Sequence, residues 1–365
     1  MSIKLLLLVC LILLVTACNP NNALDRYCDA SGCVSVNQFS ANIDSQLQNK
    51  VVGYVSVVGL KVVEYGQART STDAPSRKMA SDVPINIASV TKTLTAIAVL
   101  QSLAKHNKTI DDKISPYLPA DWTQGPNVGT ISFRDLLTHS AGFRDNGGGA
   151  NTTYAIVKKQ ISDGVQLANK TPLYNNLNFA IFREILPFME SFNDPGEPGR
   201  AAATANFYIN YMRQNVFQPV GVTPADCKPA PNSHPALYYP FPPGNTPGNE
   251  GGDWTLACGG GGWVVTTGNL YLVLNSLLGG TTLLTDAQKT LMNNNCLGWD
   301  CSVQTQTGYV GKNGLLVGAP SGGFELNTFI GIFKGKLPVV LIINSDPGQN
   351  ITGLVANAFA GAGVP

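Results

Sequence analysis

Apolar positions along this chain follow strand spacing near both ends and helix spacing between them. Residues 51–66, VVGYVSVVGLKVVEYG, are β-branched and broken by glycines, which predicts two strands joined as a hairpin. FSANIDSQLQNK just before them has helical spacing. From Ser89 to about His106, VTKTLTAIAVLQSLAKH has helical length and dense apolar content. SFRDLLTHSAGF predicts a short helix, with Ser132 as N-cap and Gly142 just past its end. Further helices are expected near 155–168, 178–190, 204–216, 266–278 and 285–294. Strand character returns in TGYVGKNGLLVG, FELNTFIGIF and LPVVLIINS, and a last helix covers roughly 349–360.

Strands at both ends predict one sheet built from both termini, with the helical part inserted. The sheet part is expected over about 38–92 and 258–365, the helical insertion over about 93–257. Nine of the 23 prolines fall between Pro219 and Pro247, so that stretch reads as loop. There are no internal repeats.

The first 20 residues, MSIKLLLLVCLILLVTACNP, read as a targeting segment. Lys4 is its charge, and Leu5 to Ala17 is too short an apolar run for a comfortable membrane span. Its end, Val15-Thr16-Ala17-Cys18, resembles a bacterial lipoprotein signal, in which cleavage leaves a cysteine to be lipidated. A plain secretory signal cleaved after Ala17 is the alternative. Residues 1–17 are thus expected as signal peptide and 18–37 as a polar tether. The mature protein is expected to be exported and held by a lipid at Cys18 to a membrane, facing the periplasm or the cell exterior. Beyond Lys4, 23 positive residues face 23 negative ones, and no basic face supports a nucleic-acid partner.

Of eight cysteines, Cys10 leaves with the signal. With Cys18 lipidated, six remain, and an even number in an exported chain points to disulfides. Six admit many pairings; spacing favours Cys28 with Cys33 and Cys296 with Cys301, each flanking turn residues. Cys227 and Cys258 then pair by elimination. A zinc site is the rival reading, disfavoured because neither close pair has a two-residue gap and no histidine lies nearby. No metal or other cofactor is expected.

One short stretch carries candidate chemistry. In IASVTKT, Ser89 and Lys92 lie three apart at a helix start, so the amine is one turn from the hydroxyl on the same face. The serine oxygen there meets unpaired backbone N–H groups and the positive end of the helix dipole. S-x-x-K is weak alone: Ser102-Leu-Ala-Lys105 also fits, but it lies mid-helix and reads as a surface serine beside a solvated lysine. Tyr174-Asn-Asn176 and Tyr208-Ile-Asn210 both fit Y-x-N. The first follows a loop and can project from a rim, whereas the second reads as helix packing. K-x-G fits once, at Lys312-Asn-Gly314. The three histidines (106, 139 and 234) are scattered, His139 reads as structural, and no G-x-S-x-G elbow exists.

With these three motifs in order, the chain resembles the serine β-lactamase and penicillin-binding-protein superfamily, nearest its class C-like branch of β-lactamases, D-peptidases and esterases. PINIASVTKTLTAIAVLQSL, TIDDKISPYLP, ISFRDLLTHSAGF, YNNLNFAIFREIL, NVFQPVGVT and CGGGGWVVTTGNLYLVLNSLL carry the resemblance. It implies an α+β fold, an antiparallel sheet flanked by helices with an inserted, mostly helical domain. It also implies an exported serine hydrolase acting through an acyl-enzyme on D-peptides, β-lactams or small esters. Ser89 would be the nucleophile, with Lys92 and Tyr174 as the base system. Asn176 would contact Lys92 and the substrate amide. Lys312 would favour the ionised tyrosine and attract a substrate carboxylate, which favours a small-molecule or peptide substrate bearing one. Backbone N–H groups of Ser89 and of Leu315, after Gly314, would form the oxyanion hole. The chain departs from the family in having KNG for KTG and a longer segment over 315–323. A carboxylesterase without peptide or β-lactam activity, and a binding or sensor protein that does not turn over, are the other readings.

Overall fold

The computed structural model describes residues 25–144, 152–318 and 323–364. In chain order, β1 (Arg26–Asp29) and β2 (Gly32–Ser35) lead into α1 (Val36–Leu47). The strands β3 (Gly53–Val58), β4 (Lys61–Arg69), β5 (Arg77–Lys78) and β6 (Ile85–Asn86) follow. The helical part runs through α2 (Thr91–Lys105), α3 (Phe133–Leu137), α4 (Tyr154–Asp163), α5 (Leu177–Ala180), α6 (Phe182–Met189) and α7 (Arg200–Met212). Next come β7 (Val264–Val265), α8 (Thr267–Gly279), α9 (Asp286–Asn294) and α10 (Cys301–Thr307). The chain closes with β8 (Val310–Val317), β9 (Glu325–Phe333), β10 (Leu337–Ile343), α11 (Ile351–Ala360) and β11 (Gly363–Val364).

The main sheet is antiparallel in the order β5-β4-β3-β10-β9-β8. Its central strand, LPVVLII, is apolar and buried at every position, so both faces must be covered. Val339, Leu341 and Ile343 cluster with Phe39, Ile43 and Leu47 of α1 and with Leu354 and Val355 of α11. The alternate residues Val340 and Ile342 cluster with Val273, Leu274 and Leu277 of α8 and with the core of the helical part. Each such side chain contributes about 1.5–3 kcal/mol on burial. Strand β8 is left as an edge, which is where the site forms.

Helix α2 is buried along nearly its whole length, polar residues such as Lys92, Thr93 and Thr95 included, as befits a central helix. The N-cap expected at Ser132 is present as a full capping box with Asp135. Three disulfides join Cys28 to Cys33, Cys227 to Cys258 and Cys296 to Cys301, the same cysteines that spacing and elimination paired.

The tether expected over 18–37 needs correction in its described part. The Cys28–Cys33 bond spans the β1–β2 hairpin, and β11 adds to β2 as a third strand. Ser35 caps α1, and Asp25 accepts hydrogen bonds from Ser35 Oγ and Asn37 N. Polar four-residue strands have too little periodicity to be read from sequence. The signal segment, Cys18 and part of the long segment, 319–322, lie outside the described residues. Helix α10 was also not expected, because CSVQTQT is polar and short.

Candidate active site

Backbone geometry places Ser89 before any side chain does. Ile85 and Asn86 pair with Val265 and Val264, and Ile87 N donates to Trp263 O at 2.9 Å. The chain then turns at Ala88, whose φ is +49°. A non-glycine residue there is strained by about 1 kcal/mol or more and needs surrounding restraint. Asn86 Oδ1 accepts from Ala88 N at 2.8 Å, and Thr328 Oγ1 donates to Ile87 O at 2.9 Å. The turn delivers Ser89 on one 3-10 turn, Ala88–Val90, ahead of α2. The α-helix therefore starts at Thr91 rather than at Ser89 itself.

Lys92 follows one turn later and is fully buried. Its ammonium donates to Ser89 Oγ at 3.0 Å, Asn176 Oδ1 at 2.7 Å and Gly260 O at 2.5 Å. Those acceptors match the three donors of an ammonium. Tyr174 comes from the loop before α5, and its hydroxyl lies 2.6 Å from Ser89 Oγ. The His139 ring packs on the Tyr174 ring with centres 4.5 Å apart, and Leu173 N donates to His139 O at 2.9 Å. The fold brings these groups together from the 3-10 turn, from α2 and from the loop before α5.

Two cations set the electrostatics of the cluster. Burial alone would raise the Tyr174 phenol. The ammoniums of Lys92 and Lys312, 4.9 Å and 5.4 Å from the ring centre, outweigh it and hold the phenol below its ordinary value. Burial pulls the Lys92 ammonium below the ordinary lysine value, and Lys312 adds to this against the opposing pull of Tyr174. Burial first, then the two lysines, pushes His139 down to about 3, so it is neutral at working pH.

Lys312 lies on the edge strand β8 and is 2% exposed. It donates to Asp300 Oδ1 at 2.8 Å, Asp300 Oδ2 at 2.9 Å and Asn313 O at 2.8 Å. Asp300 in turn accepts from Asn313 N at 2.9 Å. That N–H points off the free edge of β8. Leu315, two residues on, projects its N–H on the same edge. Gly314 sits between them against the nucleophile: a Cβ there would lie 2.4 Å from Thr328 Oγ1 and 2.8 Å from Ser89 N. Leu315 pairs with Asn327, so the strand continues through the expected oxyanion position.

Ser89, Tyr174, Asn176 and Leu315 line a cavity of about 420 Å³, with Trp254 and Leu316 as its apolar wall and Asp300 and Asn313 as its polar one. The look-alike motifs lie elsewhere. Ser102 is buried rather than on the surface, and donates to Glu190 at 2.6 Å, while Lys105 pairs with the same carboxylate. Tyr208 is buried against Thr95 at 2.8 Å. Sequence reasoning missed Asp300 and the Gly260 carbonyl. A lone aspartate beside a cysteine carries no signal, and a backbone oxygen has no residue type to read. Among the described residues, no group of three or more His, Cys, Asp and Glu side chains is placed to hold a metal, and no helix is long and apolar enough to cross a membrane.

Comparison with known proteins agrees with this geometry. The Beta-lactamase family profile matches residues 40–349, so the chain belongs to that family. Its fold and family are those of serine hydrolases. A solved β-lactamase/D-alanine carboxypeptidase from Pseudomonas syringae superposes with a TM-score of 0.66 at 14% identity, covering 90% of this chain and 98% of that one. A class C β-lactamase from Rhodobacter sphaeroides gives 0.64 at 15% identity, covering 88% and 97%. At those identities the likeness is one of fold. A stretch of "Putative penicillin-binding protein PbpX" from Bacillus subtilis (strain 168) is 29% identical over 141 residues, 38% of this chain. The match spans about a third (32%) of that relative's length.

Proposed function

We propose that this chain is a serine hydrolase that works through an acyl-enzyme at Ser89. The observation that carries the reading is the Ser89 hydroxyl held between Tyr174 Oη at 2.6 Å and Lys92 Nζ at 3.0 Å. Tyr174, ionised beside two ammoniums, takes the Ser89 proton as Oγ attacks the substrate carbonyl carbon. The oxyanion is received by the N–H groups of Ser89 and Leu315. Collapse expels the alcohol or amine, which takes the proton back from Tyr174. Water then attacks the acyl carbon, with Tyr174 again as base, and Ser89 is released. Asn176, through its bond to Lys92, holds the lysine and meets the substrate amide or ester.

Intact-mass spectrometry after exposure to a fluorophosphonate, and separately to a penicillin, tests this. A mass gain that maps to Ser89 and is absent from Ser89→Ala is expected with the fluorophosphonate. No adduct on a folded wild-type protein would overturn the reading and favour a binding role. Substrates are amides or esters; the ester reading gains from the Lys312–Asp300 pair. The apolar leader ending at Cys18 supports export and a lipid anchor, and the N-terminal mass of protein made in a bacterial host tests it.

A further inference from the structure

Lys312 is already paired with a carboxylate of its own chain. Its ammonium is chelated by both oxygens of Asp300 and also donates to Asn313 O. It also stands behind the cavity wall rather than in it. Of the described residues lining the cavity, Asp300 is the one Asp, Glu, Lys or Arg. A substrate carboxylate entering this end would meet an anion first and the cation second.

Asp300 is also fixed. Its own N donates to Gly311 O at 2.8 Å, and its Oδ2 accepts from Asn313 N, so both ends are tied to β8. The next residue is bonded through the Cys296–Cys301 disulfide. That loop is docked on α2: Gly298, at φ +73°, packs so closely that a Cβ would lie 2.6 Å from Ala96 Cβ, and its carbonyl accepts from Thr93 Oγ1 at 2.7 Å. The carboxylate cannot swing aside without breaking several of these contacts.

We propose that Asp300 sets the charge preference of the cleft: it occupies Lys312, and the site acts on esters that are neutral at this end, rejecting those that carry a carboxylate there. Trp254, Leu315 and Leu316 offer such a substrate an apolar wall. The proposal rests on the acyl-enzyme reading above. Lys312 is then a positioning residue for Tyr174 and no anchor for substrate.

The test compares two p-nitrophenyl esters of one dicarboxylic acid, the far carboxyl free in one and methylated in the other. Wild type should favour the methylated ester by roughly 10-fold or more in kcat/KM, the scale of a charge-assisted contact made or denied. Asp300→Asn removes the anion and releases a Lys312 donor, and should narrow that ratio by about 10- to 100-fold. Equal turnover of the two esters by wild type, or a preference for the anionic one, overturns the proposal without any variant. An unchanged ratio in folded Asp300→Asn also overturns it. Fluorophosphonate labelling of the same samples separates the two levels. Labelling at Ser89 with an unmoved ratio sinks this proposal alone, whereas no labelling and no turnover sinks the acyl-enzyme reading and this one with it.

Discussion

Ser89 and Tyr174 share a 2.6 Å hydrogen bond across 85 residues of sequence. Their contact joins the turn before the central helix to a loop of the helical part. In the mechanism proposed above, with Lys92 beneath it, the bond gives the serine a base without a histidine. Ser89→Ala should therefore abolish ester turnover while leaving the fold intact. Tyr174→Phe should lower kcat by roughly two to four orders of magnitude, the range for a lost acid–base group. Steady-state kinetics on a chromogenic ester checks both, and near-normal turnover by either variant would remove its residue from the mechanism.

Ser102→Ala and Tyr208→Phe are the matched controls. Each deletes a buried hydroxyl with a partner, Glu190 in one case and Thr95 in the other. Each should cost about 1 kcal/mol of stability and leave kcat within a few-fold. Denaturant unfolding beside kinetics separates the two effects. A large kcat loss in Tyr208→Phe would mean that the wrong tyrosine has been assigned.

The pH profile follows from the cations. A base works when unprotonated, so activity is present above its pKa and lost as pH falls through it. Burial raises the Tyr174 phenol, and Lys92 and Lys312 more than offset this, so the rising limb of kcat/KM should lie below the ordinary phenol range. Lys312→Met removes one cation and leaves Asp300 unpaired, and both changes move the limb to higher pH. His139, neutral above about 3, should contribute no limb near neutrality. A limb that stays put in Lys312→Met would show that the lysine does not tune the base.

Much of this was legible in the sequence, for physical reasons that differ by residue. A long apolar strand such as LPVVLII announces itself because burial on two faces needs apolar residues at every position, and the helix after Ser89 does so by its length and dense apolar content. Ser89, Lys92, Tyr174 and Lys312 were singled out because their spacing repeats a family pattern, and the fold brings them together. What stayed hidden depends on tertiary proximity. Asp300 meets Lys312 because a disulfide-closed loop docks on α2, and Gly260 contributes only a carbonyl. The hairpin at Arg26–Ser35 is held by a disulfide, by a strand from the far end of the chain and by Asp25, none of which is periodic. Ser102 was misread as exposed because its partner, Glu190, is 88 residues away.

Gly314 gives a sharper test of the oxyanion site than any side chain there. A methyl group at this position would lie 2.4 Å from Thr328 Oγ1, 2.8 Å from Ser89 N and 3.0 Å from Ala88 Cβ. Thr328 cannot retreat freely, because its hydroxyl anchors the Ile87 carbonyl. The strain falls on the two N–H groups assigned to the oxyanion. Gly314→Ala should lower kcat by roughly 100- to 1,000-fold, the effect of a lost oxyanion donor. Its stability cost should be about 1–3 kcal/mol from overpacking. Wild-type kcat in this variant would show that the oxyanion is held elsewhere.

The Cys227–Cys258 disulfide should govern stability and not catalysis. It closes a separation of 31 residues, and constraining the unfolded chain over that loop is worth about 3–4 kcal/mol. The bond ends beside the glycines that serve the site, since Gly260 O accepts from Lys92 and Gly259 O accepts from Thr95 Oγ1 at 2.8 Å. Those glycines have other anchors, however. Arg183 Nη1 donates to Cys258 O at 3.0 Å, and the buried Arg183 is itself paired with Glu184. Trp254 N donates to Cys227 O at 2.8 Å on the other arm. With both arms held by hydrogen bonds, the folded segment keeps its course without the covalent link. The double variant Cys227→Ala/Cys258→Ala should therefore unfold at markedly lower denaturant while kcat at 25 °C stays within about fivefold, far below the loss expected for a missing acid–base group. Denaturant midpoints and kcat on the same preparation decide it, and a kcat loss of a hundredfold would show that the bond itself positions Gly260 for Lys92.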